Sequence, residues 1–249
     1  NNIIEHNEVT KTLLQLSDGA SINVSGASEG NIIRHNYIYD VDYIAVRTDD
    51  WQRGTTTIQN IIARAGTGVV HKDYNHIINN IFIDLNGEAI RLRAFPRQVF
   101  KPDSIMQRNI VYSSRKKTVP PYGERDLWNA DEFKVVKAGT KPLPYEYLLD
   151  NNLYWFDGAD AFLSKFQSKG VEQNSIVADP EFADVANMDL TMDPTSPALK
   201  AIGFEEFDGD LDSFGITADY PAHLLKKDTR LTQWGEPTVK GADAHRKHH

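Results

Sequence analysis

The sequence predicts an all-β chain: a right-handed parallel β-helix with a long loop insertion and a C-terminal cap. Three observations predict it. A frame of apolar, two variable residues, Asn, one variable residue, apolar recurs with its Asn at 7, 36, 60, 80, 109 and 152. The spacings of 29, 24, 20, 29 and 43 residues suit a solenoid whose repeats carry insertions of variable length. The residues between are β-branched and alternating, with few helical stripes, so each repeat reads as a coil of short strands. An Asn at each turn can stack on the Asn of the next coil and hydrogen-bond through its amide.

In chain order, residues 1–182 carry the coils. The frames are Ile4-Glu5-His6-Asn7-Glu8-Val9, Ile33-Arg34-His35-Asn36-Tyr37-Ile38, Thr57-Ile58-Gln59-Asn60-Ile61-Ile62, Ile77-Ile78-Asn79-Asn80-Ile81-Phe82, Met106-Gln107-Arg108-Asn109-Ile110-Val111 and Leu149-Asp150-Asn151-Asn152-Leu153-Tyr154. Residues 115–147 interrupt them with Pro120-Pro121 and Pro142-Leu143-Pro144, a loop insertion whose Tyr122 and Trp128 either pin it to the wall or lean over a cleft. Residues 183–228 are turn-rich, with Phe204, Phe207 and Phe214 as apolar anchors, and read as a capping segment. Residues 229–249 are a polar tail.

A formal charge of -8 argues against nucleic acid or an anionic membrane as the main partner. There is no cysteine, hence no disulfide and no thiolate zinc site. No apolar run has bilayer-spanning length, so no membrane insertion is expected. No signal peptide is present, and the chain opens on Asn1-Asn2 inside a repeat, as expected of a fragment lacking earlier coils.

Extending the Asn register into the following strand aligns Tyr43–Asp49 with Thr67–Asp73 at an offset of 24, and the latter with Gly87–Arg93 at an offset of 20. Side chains alternate along a strand, and coils stack about 4.8 Å apart. Val46, Val70 and Ile90 then form a core row. Arg47, His71 and Arg91 form an outward row beside Asp49, Asp73 and Arg93, with Asp50 at its edge. Carboxylates, a histidine and arginines in one patch supply the opposed influences of an acid/base site. The competing reading is a solvated salt-bridge lattice. An offset of 29 brings Asp18, before Gly19, level with Arg47. Trp51 and Tyr74 flank the patch and offer flat faces to sugar rings, or pack under loops.

The segments Leu16-Ser17-Asp18-Gly19, Asn31–Asp40, Thr48-Asp49-Asp50, Ala178–Phe182 and Ser196–Leu199 resemble the bacterial right-handed β-helix glycoside hydrolases, the family containing α-L-fucosidases and xylanases. Ala20 departs from that family's Ser-Asp-Gly-Gly element. The resemblance implies an extracytoplasmic enzyme acting on oligo- or polysaccharide, with Asp18 and either Asp49 or Asp50 as acid and base or nucleophile. Asp73 and His71 complete the candidate catalytic set, and Arg47, Arg91, Arg93, Trp51 and Tyr74 the candidate binding set. No cofactor is implied; Asp49, Asp50 and Asp73 give calcium a weak oxygen-ligand signal. Two other classes fit the patch: a polysaccharide lyase using His71 or Lys72 against a uronate, and a non-catalytic carbohydrate-binding solenoid.

Overall fold

A computed structural model describes residues 2–15, 18–26, 29–50, 52–71, 74–92, 104–116, 120–122, 134–135, 146–205 and 207. All of them belong to one unit, Asn1–Gly215. The fold is all-β in character, with short parallel strands that alternate between two sheets.

The order is β1 (Ile3–Glu5), β2 (Glu8–Thr10), β3 (Ile22–Ser25), β4 (Asn31–Arg34), β5 (Tyr37–Asp49), β6 (Thr55–Ile58), β7 (Ile61–His71) and β8 (His76–Ile78). It continues with β9 (Ile81–Ile83), β10 (Ile90–Leu92), β11 (Ser104–Gln107), β12 (Ile110–Tyr112), β13 (Lys134–Val135), β14 (Glu146–Asp150), β15 (Leu153–Trp155) and β16 (Ile176–Val177). The first sheet runs β1-β4-β6-β8-β11-β14-β13. The second runs β16-β15-β12-β9-β7-β5-β2, and β3 and β10 pair with the far ends of β5 and β7.

The six asparagines stand at the turn from the first sheet to the second and form one continuous ladder. Nδ2 of Asn7, Asn36, Asn60, Asn80 and Asn109 each donates to Oδ1 of the next rung's Asn, at 2.8, 2.9, 3.0, 3.1 and 3.1 Å. Each backbone N–H donates to the same oxygen. The residue before each Asn is left-handed: His6, His35, Gln59, Asn79, Arg108 and Asn151 have φ between 49 and 57°. That conformation redirects the chain from one sheet to the other, and the Asn amide satisfies backbone groups the corner leaves open.

Between the sheets lies the main core. Ile4, Ile33, Thr57, Ile77, Met106 and Leu149 stack rung on rung from the first sheet. Val9, Ile38, Ile62, Phe82, Val111, Tyr154 and Val177 stack from the second. The opposite face of the second sheet is apolar too: Tyr37, Ile61, Ile81, Ile110 and Leu153 are buried. A parallel sheet covered on both faces needs such continuous apolar runs. The cover here is the segment from Ala178 onward, which lays Leu190, Met192, Leu199 and Ile202 on that face, with Phe204 and Phe207 beside them. The described part of the segment read as a cap thus lies along the flank of the second sheet.

Among the described residues two α-helices interrupt the strands. Helix α1 (Ala159–Gln167) buries Ala159, Leu163 and Phe166. Helix α2 (Pro197–Ile202) starts on Pro and stops at Gly203, φ 65°, and buries Leu199 and Ile202, the usual distribution of these two residues at helix ends.

The register of β5 on β7 departs from the sequence expectation. Tyr37 to Val41 pair at an offset of 24, but Ile44 pairs with Thr67, Val46 with Val69 and Arg47 with Val70, an offset of 23. A bulge between Val41 and Ile44 absorbs the extra residue. Gly66 accommodates it, since a Cβ there would stand 2.4 Å from the Tyr43 carbonyl oxygen and 2.6 Å from that of Asp42. On the next rung Val69 pairs with Ile90 and Val70 with Arg91, an offset of 21 and not 20. The core row is therefore Val46, Val69 and Ile90.

Candidate active site

The corrected register rearranges the charged face. Its outward row is Asn23, Arg47, Val70 and Arg91. His71 is not level with Arg47: its backbone pairs with Leu92, because the bulge in β5 shifts the pairing of the following residues by one. Asp18 is not level with Arg47, for Asn23 holds that place: β2 meets β5 at an offset of 29 and β3 at 24, so residues between β2 and β3 loop out. Asp73, Arg93 and Trp51, with Lys72 and Trp128, lie outside the described residues, as does the His71 side chain.

Two of the expected acids nevertheless meet at Arg47, and Asp50 follows the second in the chain. The Arg47 side chain, 20% exposed, donates from Nη1 to Asp18 Oδ1 at 2.7 Å and pairs through Nη2 with Asp49 Oδ2. Asp18 is 93% exposed at the side chain, whereas Asp49 is 10%. Asp49 ends β5, and its Oδ1 accepts the Asp50 backbone N–H at 3.0 Å. Asp50 is a left-handed turn residue, φ 42°, whose Oδ2 accepts Ser25 Oγ–H at 2.9 Å. One guanidinium thus holds a buried and an exposed carboxylate by the planar fork that suits arginine to this task. The acids are supplied by the end of β5, the turn after it, and the connection between β2 and β3.

Arg91 stands two rungs from Arg47, about 9.6 Å away, with buried Val70 between them in the row. Its guanidinium is taken up by Glu88 Oε2, at 2.7 Å from Nη2 and 3.0 Å from Nε. Glu88 escaped the sequence reading, although its i,i+3 relation to Arg91 is a readable pairing signal. Tyr74, half-buried and left-handed at φ 47°, turns its ring edge-on to His76 at 6.4 Å, and its carbonyl accepts Gly54 N–H at 2.6 Å. It anchors a turn here. Among the described residues no three His, Asp or Glu side chains form a metal site, and Asp73 of the calcium set lies outside them.

A second polar centre went unforeseen. Glu172, wholly buried, ends the Asn ladder. Asn152 Nδ2 donates to its Oε2 at 3.2 Å, Tyr154 Oη–H to its Oε1 at 2.6 Å, and Tyr122 and Ser175 also donate to the carboxylate. Burial raises the Glu172 pKa against these hydrogen bonds. Burial and the adjacent Glu172 push the Tyr122 and Tyr154 hydroxyls well up. Tyr122 comes from the long insertion and packs edge-on against Phe162 and Phe166 of α1, so it pins the loop to the wall. The centre is closed to solvent and joins structure, not substrate.

No helix among the described residues is long and apolar enough to cross a membrane. Comparison with protein-family models, with curated proteins and with solved structures found no match.

Proposed function

We propose that the chain is a carbohydrate-active enzyme, a glycoside hydrolase, whose two sheets are walls of a right-handed parallel β-helix. The hand is the one that parallel crossovers adopt. The observation that carries the function is the pair Asp18 and Asp49 on the single guanidinium of Arg47. Glycoside hydrolysis needs two carboxyl groups with different surroundings, one to protonate the leaving oxygen and one to attack or to activate water. Asp18, exposed on its loop, is one member of the acid and nucleophile pair in this reading. Asp49, fixed by Arg47 and by the Asp50 N–H, is its partner. Arg47 positions both, and Asp50, held by Ser25, borders the substrate hydroxyls. Two carboxylates on one guanidinium fit the close spacing of retaining enzymes, about 5–5.5 Å, better than the inverting spacing of about 6.5–9.5 Å. Retention of configuration is therefore expected.

The charge state of the face favours this reading over a lyase. Elimination from a uronate needs a base beside the sugar and a cation for its carboxylate. Arg47 already carries two carboxylates and Arg91 carries Glu88. The same reading carries an oligo- or polysaccharide partner and an extracytoplasmic location, with no cofactor.

The test is a glycan panel assayed for new reducing ends and for unsaturated-uronate absorbance. Reducing ends are expected without the chromophore, Asp18→Asn and Asp49→Asn each lowering turnover by about 100-fold or more, and anomeric NMR showing retention. Binding of glycan with unchanged behaviour in both variants and no turnover would make the chain a carbohydrate-binding module. The chromophore would make it a lyase.

A further inference from the structure

We propose that Asn86-Gly87 is a self-modifying site, at which the folded chain converts Asn86 to aspartate and isoaspartate. It is the single Asn-Gly pair in the sequence. Asn86 is exposed and lies in the turn between β9 and β10. The turn is gripped on both sides: Asn86 N–H donates to the Ala65 carbonyl at 2.8 Å, and the Glu88 carbonyl accepts Gly68 N–H at 3.0 Å. Between these two anchors the Gly87 N–H has no hydrogen-bond partner among the described residues. The attacking nitrogen is thus not tied up in the sheet, and Gly87 puts no side chain of its own in the way.

Arg115 supplies the electrophilic help. It stands 29 residues after Asn86, the offset that also relates Asn80 to Asn109, and its Nη1 donates to Asn86 Oδ1. A guanidinium on the carboxamide oxygen draws electron density from Cγ and stabilises the charge that gathers on Oδ1 when a nucleophile adds. The Gly87 nitrogen, losing its proton to solvent base, bonds to Asn86 Cγ. The Cγ–Nδ2 bond breaks, and ammonia leaves with the proton it needs. Water then opens the five-membered imide. Cleavage at Cγ gives aspartate; cleavage at the main-chain carbonyl gives isoaspartate, with the backbone rerouted through the former side chain. Either product puts a carboxylate against Arg115, where the neutral amide was.

The site has little room for the isoaspartate form. A Cβ at Gly87 would stand 2.2 Å from the Gly66 carbonyl oxygen, so backbone lies on backbone at this point. One residue further on is Glu88, which holds Arg91 of the charged row. Modification at Asn86 therefore displaces the end of that row.

The experiment incubates the whole folded protein at mildly alkaline pH and follows the Asn86 peptide by mass spectrometry and an isoaspartate-specific methyl-transfer assay. Conversion is expected, slowed severalfold by Arg115→Ala and in part restored by Arg115→Lys. In urea the three proteins are expected to convert at one rate, because the contact is gone. An Asn86 peptide that stays intact in the folded protein while converting in urea would overturn the proposal. Equal folded-state rates for wild type and Arg115→Ala would overturn it too.

Discussion

Asn60 shows what a ladder residue does. It is wholly buried, and its Oδ1 accepts both the backbone and the side-chain N–H of Asn36. Its Nδ2 donates to Asn80 Oδ1 and to the carbonyls of Ile33 and Ile58. Asn60→Ala strands donors and acceptors on three rungs at once. Each unsatisfied buried group costs about 1–3 kcal/mol, and relaxation of the corner recovers part, so a loss of about 3–5 kcal/mol is expected in urea unfolding. Asn7, exposed at its end of the ladder, sets the comparison. Asn7→Ala is expected to cost about 1 kcal/mol or less, since water replaces what it loses. Equal losses at the two positions would mean that ladder asparagines act through corner geometry and not through buried hydrogen bonds.

At the scale of elements, the long insertion is tied to β15 and the turn after α1 by Glu172. Because burial raises its folded-state pKa above that of the unfolded chain, the folded state binds the proton more tightly. The stabilisation is fully present below the ordinary glutamate range and is lost as pH rises through the raised value. Glu172→Gln keeps an acceptor for the tyrosines but does not titrate. Wild type is therefore expected to lose stability relative to the variant as pH rises from the ordinary glutamate range through the raised value, read as urea midpoints along a pH series. The opposite trend would place the hydrogen bonds above burial. Elements also divide what could be read in the sequence from what could not. The asparagine corners were legible because one side chain repeats in one frame, and all six residues stand in the ladder. The rows beyond the corners were not, because a single bulged residue leaves no periodic trace. Gly66 was its mark: glycine inside an apolar strand signals a bulge or a close backbone approach. Asp18 and Asp49 still meet at Arg47, since a long arginine side chain reaches across a one-residue error in register. Glu172 had no sequence signal, as its partners come from segments of unrelated register.

For the molecule as a whole, the second sheet depends on its cover. Tyr37, Ile61, Ile81, Ile110 and Leu153 face the segment after Val177, and each buried side chain of this kind contributes about 1.5–3 kcal/mol. A chain ending at Val177 would present that row to water as one apolar stripe along a parallel sheet. Self-association and strong binding of an apolar dye are expected, seen by size-exclusion chromatography and fluorescence. A monomeric, dye-silent truncation would show that the sheet tolerates an open flank. The substitution Leu199→Ala tests the same cover more gently, with an expected loss of about 2–5 kcal/mol in urea unfolding.

The rung-to-rung distance along the chain has a practical side. The ladder bond from Asn109 to Asn152 is 3.1 Å, equal to that from Asn80 to Asn109, although 43 residues separate the first pair and 29 the second. Chain length between corners is thus uncoupled from the spacing of the corners themselves. A longer or shorter excursion between two corners would leave the scaffold's rung spacing as it is, so length variation between rungs is expected to be tolerated while the corner asparagines are kept.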